Sequence, residues 1–279
     1  MKTKEIKSAG KTIADIYLQG SDPGATAGDK KRLVSHLSKD IKETDIGYAG
    51  FSTKDALNSY LMSTVFDEKE TDNEIFNFAL DEKKIVRAIK EAVVQCSNKL
   101  PTETVHIFVF PTFSKFVKEK MFGTTGYTPW KDTILVFVNP LNQYWERALT
   151  ETIGHEYGHS VSLRYNKCES LLDSIIFEGL AEHFREQAVG DERAPWTKVL
   201  GINQSRSLFL EMELGNLLQS TDKKVYRAVF FGNEKYARWT GYSVGYHLVE
   251  SFVTNNPNLK WQEIIKMRPK DIFDRAHFK

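Results

Sequence analysis

Cysteine is scarce in this chain: Cys96 and Cys168 are the only two among 279 residues, and no C-x-x-C pair occurs. That excludes a disulfide framework and a cysteine-built zinc site. Two free thiols in a reducing compartment are expected, although a single bridge between them stays geometrically open. An excess of charge of one sign is also missing. Thirty-eight basic residues face 37 acidic ones, for a net charge of +1, so no general attraction to nucleic acid or to an anionic membrane is expected. Basic and aromatic residues do not interleave as in a nucleic-acid surface. No apolar run reaches the length of a transmembrane helix. Residues 1–7 carry positive charge with no apolar stretch behind them, so no secretory signal is expected and the expected location is cytoplasmic. A phosphate-binding loop ending in Gly-Lys-Ser/Thr is absent, as is a G-x-S-x-G nucleophile elbow.

What is present is His155-Glu156-Tyr157-Gly158-His159, an H-E-x-x-H pattern. Residues four apart on a helix share a face, so both histidines can turn a ring nitrogen toward one metal ion. Glu156 sits beside them, able to take a proton from a water activated by the metal. A catalytic zinc keeps three protein ligands and one open position. After eighteen further residues comes Glu178-Gly179-Leu180-Ala181-Glu182, a gap that fits the rest of one helix, a turn and a returning helix. Glu178 is the candidate third ligand. Glu182 lies one turn on and could accept a hydrogen bond from a ligating histidine.

H-E-Y-G-H, eighteen residues and then E-G-L-A-E resembles the gluzincins, zinc peptidases whose third ligand is a glutamate. The spacing is that of the aminopeptidase N branch. The flanking text is more similar to the YjaZ-like predicted zinc-dependent proteases, on Val105-His106-Ile107-Phe108-Val109-Phe110-Pro111, Ile134-Leu135-Val136-Phe137-Val138-Asn139-Pro140 and Gly241-Tyr242-Ser243-Val244-Gly245-Tyr246. The resemblance implies an α+β, zincin-like fold with a small mixed sheet and an active-site helix, a Zn²⁺ cofactor, and a peptide or protein substrate. Oligomeric state is not readable.

Three regions are expected: a mainly helical N-terminal region (1–99), a catalytic core with both motif helices (100–190), and a helical C-terminal lobe that completes a cleft (191–279). Residues 12–18 read as a strand and 20–29 as a long loop. Ile75, Phe76, Phe78 and Ala79 lead into Ile85, Ile89 and Val93, a helical pattern. Residues 105–110 and 134–138 are β-branched and aromatic and read as strands. Between them, the Gly-rich segment 122–128 is either a surface loop or, by the resemblance, the edge strand that pairs with an extended peptide through Gly123, Thr124 and Gly126. The helix at 142–163 should pack through Leu149, Ile153, Tyr157 and Val161, leaving the histidines on another face. The second helix, 171–188, should pack through Phe177, Leu180, Ala181, Phe184 and Ala188.

An oxyanion in such a reaction needs a donor besides the metal, and gluzincins commonly supply it from the C-terminal lobe. Tyr242 is the first choice, just after Gly241 at an expected helix start. Tyr246 and His247 are the other candidates, and Tyr246 is also taken as substrate-binding. His183 and His106 read as structural or surface histidines. No carboxylate occurs at 121–130 to bind a free amine, which favours an endopeptidase or oligopeptidase over an aminopeptidase. Two alternatives stand beside this reading. One is a non-catalytic zinc-binding protein, against which Glu156 argues; the other is a metal-dependent hydrolase of a non-peptide amide or ester.

Overall fold

The computed structural model describes residues 2–18, 30–39, 53–66, 80–190 and 192–278. The loop expected at 20–29 and the pattern at Ile75–Ala79 lie outside these residues. The chain divides into two compact units, Met1–Ser160 and Val161–Lys279.

Among the described residues, the first unit is built on a five-stranded mixed sheet. Its strands are β1 (Lys2–Ser8), β2 (Lys11–Leu18), β3 (Val105–Pro111), β4 (Thr124–Trp130) and β5 (Thr133–Val138), in the spatial order β1-β2-β3-β5-β4. A hairpin joins β1 to β2 through Ala9 and Gly10, both at positive φ (47° and 79°), the signature of a type I′ turn. β2, β3 and β5 run parallel, while β4 pairs antiparallel with β5 at the far edge. Segment 122–128 is therefore mostly edge strand, not surface loop. It is entered through Phe122 and Gly123 at φ 53° and 89°. A side chain on Gly123 would meet the Asn139 carbonyl, so both backbone conformation and space require glycine there.

Every residue of β5 is buried, as expected for a central strand covered on both faces. On one face, helix α2 (Lys54–Val65) brings Leu57, Leu61 and Val65 against Phe108, Phe110, Leu135 and Phe137. Ile107, Val109, Ile134 and Val136 alternate to the other face and are fully buried as well. Helix α1 (Lys30–Ser38) packs on α2, and α3 (Glu82–Lys99) packs on β2. The expected helical face of α3 holds, since Ile85, Ile89 and Val93 are fully buried. A short helix α4 (Lys115–Lys120) precedes β4. The motif helix α5 runs from Trp145 to Ser162, slightly inside its expected bounds. Leu149, Ile153, Tyr157 and Val161 are all buried, as its periodicity predicts, and the Tyr157 hydroxyl donates to the Leu100 carbonyl at 2.9 Å.

The second unit is helical: α6 (Leu171–Val189), α7 (Ile202–Leu214), α8 (Lys223–Phe231), α9 (Thr240–Asn255), α10 (Trp261–Ile264) and α11 (Pro269–Ala276). Its centre is the packing of α6 on α9. Among the described residues, no helix is long and apolar enough to cross a membrane. Both cysteines are free, Cys96 buried and Cys168 exposed.

Candidate metal centre

Helix α5 supplies the two histidines. Their rings lie 4.5 Å apart between centroids and nearly perpendicular, at 88°. Two imidazoles edge to face can aim separate nitrogens at one point, which parallel stacked rings cannot. His159 is buried and His155 half-buried.

Glu156 faces the edge strand. Thr124, Gly126 and Thr128 alternate onto one face of β4, and all three touch α5. The Thr124 and Thr152 hydroxyls are 2.9 Å apart. The Thr128 hydroxyl donates to Glu156 Oε2 at 2.7 Å. A Cβ placed on Gly126 would lie 2.4 Å from Glu156 Cγ and 2.7 Å from Oε1, so the carboxylate fills the space a side chain at 126 would take. The β4–β5 register shifts between Tyr127 and Trp130, and Thr128 sits inside that shift. Such irregularities re-aim side chains, frequently beside functional sites.

Glu178 stands on α6. That helix begins with a capping box: Asp173 N–H donates to Ser170 Oγ at 3.1 Å, and Ser170 N–H donates to Asp173 Oδ2 at 2.9 Å. One turn beyond Glu178, Glu182 is fully buried. Trp196 Nε1–H donates to its Oε1 at 2.6 Å, and Arg185 Nε–H to its Oε2 at 3.1 Å. Arg185 is itself only 1 % exposed and reaches on to Glu186 and to the Glu192 carbonyl. Breaking a buried ion pair from one side costs about 3–5 kcal/mol, so this clasp fixes the α6 turn that follows Glu178. Trp196 and Arg185 were not legible as neighbours of Glu182; Trp196 lies in a single 3-10 turn (Pro195–Thr197) after α6 and carries no local pattern.

Among the described residues, one group of three could hold a metal ion: His155, His159 and Glu178, whose ligand atoms all lie within 4.8 Å of one another. Two imidazoles and a carboxylate are a donor set suited to zinc.

The tyrosine candidates lie on α9. Tyr242 is in its first turn, half-buried, with its ring edge-on to Phe230 at 5.3 Å. Tyr246 is 6 % exposed and donates its hydroxyl to Glu186 Oε2 at 3.0 Å, with the Arg193 guanidinium 4.0 Å above its ring. Burial and the neighbouring Glu186 carboxylate push the Tyr246 phenol above its ordinary range. His183 stacks on the Tyr246 ring, and its Nε2 bonds the Tyr246 carbonyl at 2.9 Å. Burial holds this histidine below its ordinary pKa, which fits the structural role read from the sequence. His247 bonds Arg193 and Glu250. His106 is half-exposed beside Tyr17 and Asp15.

No solved structure matches the chain. The uncharacterized protein YjaZ of Bacillus subtilis (strain 168) is 24% identical over 181 residues, which cover 63% of this chain and 69% of that protein. The uncharacterized protein YjfC of the same organism is 28% identical over 172 residues, 55% of each chain, so the match spans little more than half of that relative. The family model described as "Predicted Zn-dependent protease (DUF2268)" matches residues 85–274. That stretch carries β3 to β5, both motif helices and most of the helical unit, and on it this chain belongs to the predicted Zn-dependent protease family DUF2268.

Proposed function

We propose that the protein is a zinc-dependent metallopeptidase of gluzincin type, with a zincin-like fold, that hydrolyses peptide bonds as an endopeptidase or oligopeptidase. The observation that carries this reading is the convergence of His155, His159 and Glu178 within 4.8 Å on either side, in sequence, of a buried glutamate, Glu156. Those three residues would hold Zn²⁺. When bound, zinc supplies a water acidified toward a pKa of about 7 and a Lewis acid for the scissile carbonyl.

The chain's own residues do the rest. Glu156 accepts the proton of the attacking water and delivers it to the leaving amine. A purely structural zinc site has no use for such a base and favours a closed ligand set. The outer edge of β4 would pair with an extended substrate backbone around Gly126; of the other two expected positions, Gly123 already donates its N–H to the Val117 carbonyl and accepts from Asn139 N–H, and Thr124 N–H donates to the Met121 carbonyl. Tyr242 donates to the developing oxyanion. Tyr246, whose hydroxyl is engaged by Glu186, serves as a wall of the substrate site. Glu182, held by Trp196 and Arg185, keeps the ligand turn in place.

The test is chelation. Peptide cleavage, followed on a library of internally quenched peptides, is expected to vanish with a chelator and to return with zinc. Cleavage that persists in a protein shown to be metal-free would overturn the proposal.

A further inference from the structure

The edge strand has a second task beyond any pairing with substrate. Thr128 Oγ1 is 2.7 Å from Glu156 Oε2 and 3.1 Å from the Glu156 carbonyl oxygen. A hydroxyl carries one proton, and the contact with the side-chain oxygen is the shorter of the two. Both residues are 6 % exposed, so water competes little for that carboxylate oxygen. One turn earlier on α5, the Thr124–Thr152 hydroxyl pair ties the same strand to the same helix. Between these ties, Gly126 presents a bare Cα to the Glu156 side chain. Its backbone lies outside the left-handed region, so conformation does not demand glycine. Space does: an added Cβ would fall 2.4–2.8 Å from Glu156 Cγ, Oε1 and Cδ.

We infer that Thr128 is a positioning residue for Glu156, and that Gly126 keeps open the space which the Glu156 carboxylate occupies. This deepens the peptidase reading above and rests on it. The carboxylate is clamped at Oε2 by the hydroxyl and cradled by the strand, so it is held in one rotamer. A base that must meet a water at one position gains from that; a misplacement of about 1 Å can cost roughly 100-fold in rate. Thr128 reaches α5 by the same alternation that places Thr124 and Gly126 there, at the point where the ladder with β5 is interrupted.

The experiment uses the full chain with zinc content measured, in five forms: wild type, Thr128→Val, Thr128→Ser, Gly126→Ala and Glu156→Gln. Two readouts are taken: kcat and KM on one cleaved peptide, and crystal structures of the variants. Thr128→Val keeps the shape and removes the hydroxyl. It is expected to keep its zinc and its KM within about twofold, to lose kcat by roughly tenfold or more, and to show the Glu156 carboxylate swung from its wild-type position. Thr128→Ser should restore both rate and position. Gly126→Ala clashes only with a flexible side chain, so it should fold, bind zinc, displace Glu156 and lose kcat by about 100-fold.

A Thr128→Val protein with wild-type kcat, or with Glu156 unmoved in its crystal structure, overturns the positioning role. A tie that merely stabilises strand on helix would lower the melting temperature and leave kcat untouched below it. Glu156→Gln separates this failure from that of the parent reading: normal turnover there removes the base itself. If no peptide is cleaved, the crystal structures still decide whether Thr128 and Gly126 set the position of Glu156.

Discussion

Glu156→Gln is expected to keep its fold and its zinc while turnover falls about 10²- to 10⁴-fold. Glutamine fills the same volume against Gly126 and still offers an amide oxygen to the Thr128 hydroxyl. Its neighbours His155 and His159 are unchanged, so metal affinity should be too. What it cannot do is take a proton. The wild-type carboxylate is 6 % exposed, so bulk water is poorly placed to substitute as base. Steady-state kinetics on a quenched peptide beside elemental analysis of the same sample makes the check. Turnover within a few-fold of wild type at equal zinc content would mean that another group is the base.

The second large effect concerns the framework behind Glu178. Gly179, its next neighbour, faces Gly245 on α9: a Cβ on Gly179 would lie 2.2 Å from the Gly245 carbonyl oxygen, and one on Gly245 would lie 2.1 Å from that of Ile175. Both contacts are with backbone, so no side chain can turn aside and the helices themselves must separate. Overpacking of this kind costs typically about 1–3 kcal/mol and occasionally more, and a backbone-to-backbone clash belongs at the upper end. Alanine is also about 1 kcal/mol better than glycine as a helix former, so at a roomy position Gly245→Ala would stabilise. Here the steric term wins. A net loss of about 2–3 kcal/mol corresponds to a fall in melting temperature of roughly 3–5 °C for a chain of this size. Calorimetry on Gly245→Ala that shows an equal or higher melting temperature would refute the close approach of α6 and α9. Moving α6 also moves Glu178, so the variant should bind zinc more weakly.

Much of this was legible in the sequence. Strands β3 and β5 announce themselves by β-branched and aromatic runs, and α5 by four-residue steps of apolar residues; on α6 the expected face holds at Leu180, Ala181 and Phe184, while Phe177 and Ala188 are only half-buried and Leu172, Ile175 and Ile176 are buried instead. The two candidate histidine ligands follow from spacing, because helix geometry turns positions i and i+4 into neighbours; Glu178 was reached from the need for a third ligand, the eighteen-residue gap and the family resemblance. What escaped has physical reasons. Strand β1 holds a single buried hydrophobic residue, Ile6, among lysines. That is how an edge strand avoids pairing with other chains, and it erases the alternation that marks a strand. The role of Thr128 depends on which face of β4 packs on α5, and that is set by partners distant in sequence. The clasp on Glu182 comes from Trp196, which no local pattern connects to α6. Segment 122–128 was open between loop and strand on the sequence because Gly123, Gly126 and the following Pro129 depress strand propensity; pairing with β5 decides it for strand.

The central claim is the three-residue metal centre, and zinc stoichiometry tests it most directly. Wild type and Glu178→Ala, supplied with zinc and freed of excess, would be compared by elemental analysis after circular dichroism has shown that both are folded. The account predicts about one equivalent of zinc in the wild type and a small fraction of that in the variant, because catalytic zinc needs its third protein ligand. A wild type that holds no zinc, or a variant that holds as much as wild type, would contradict it.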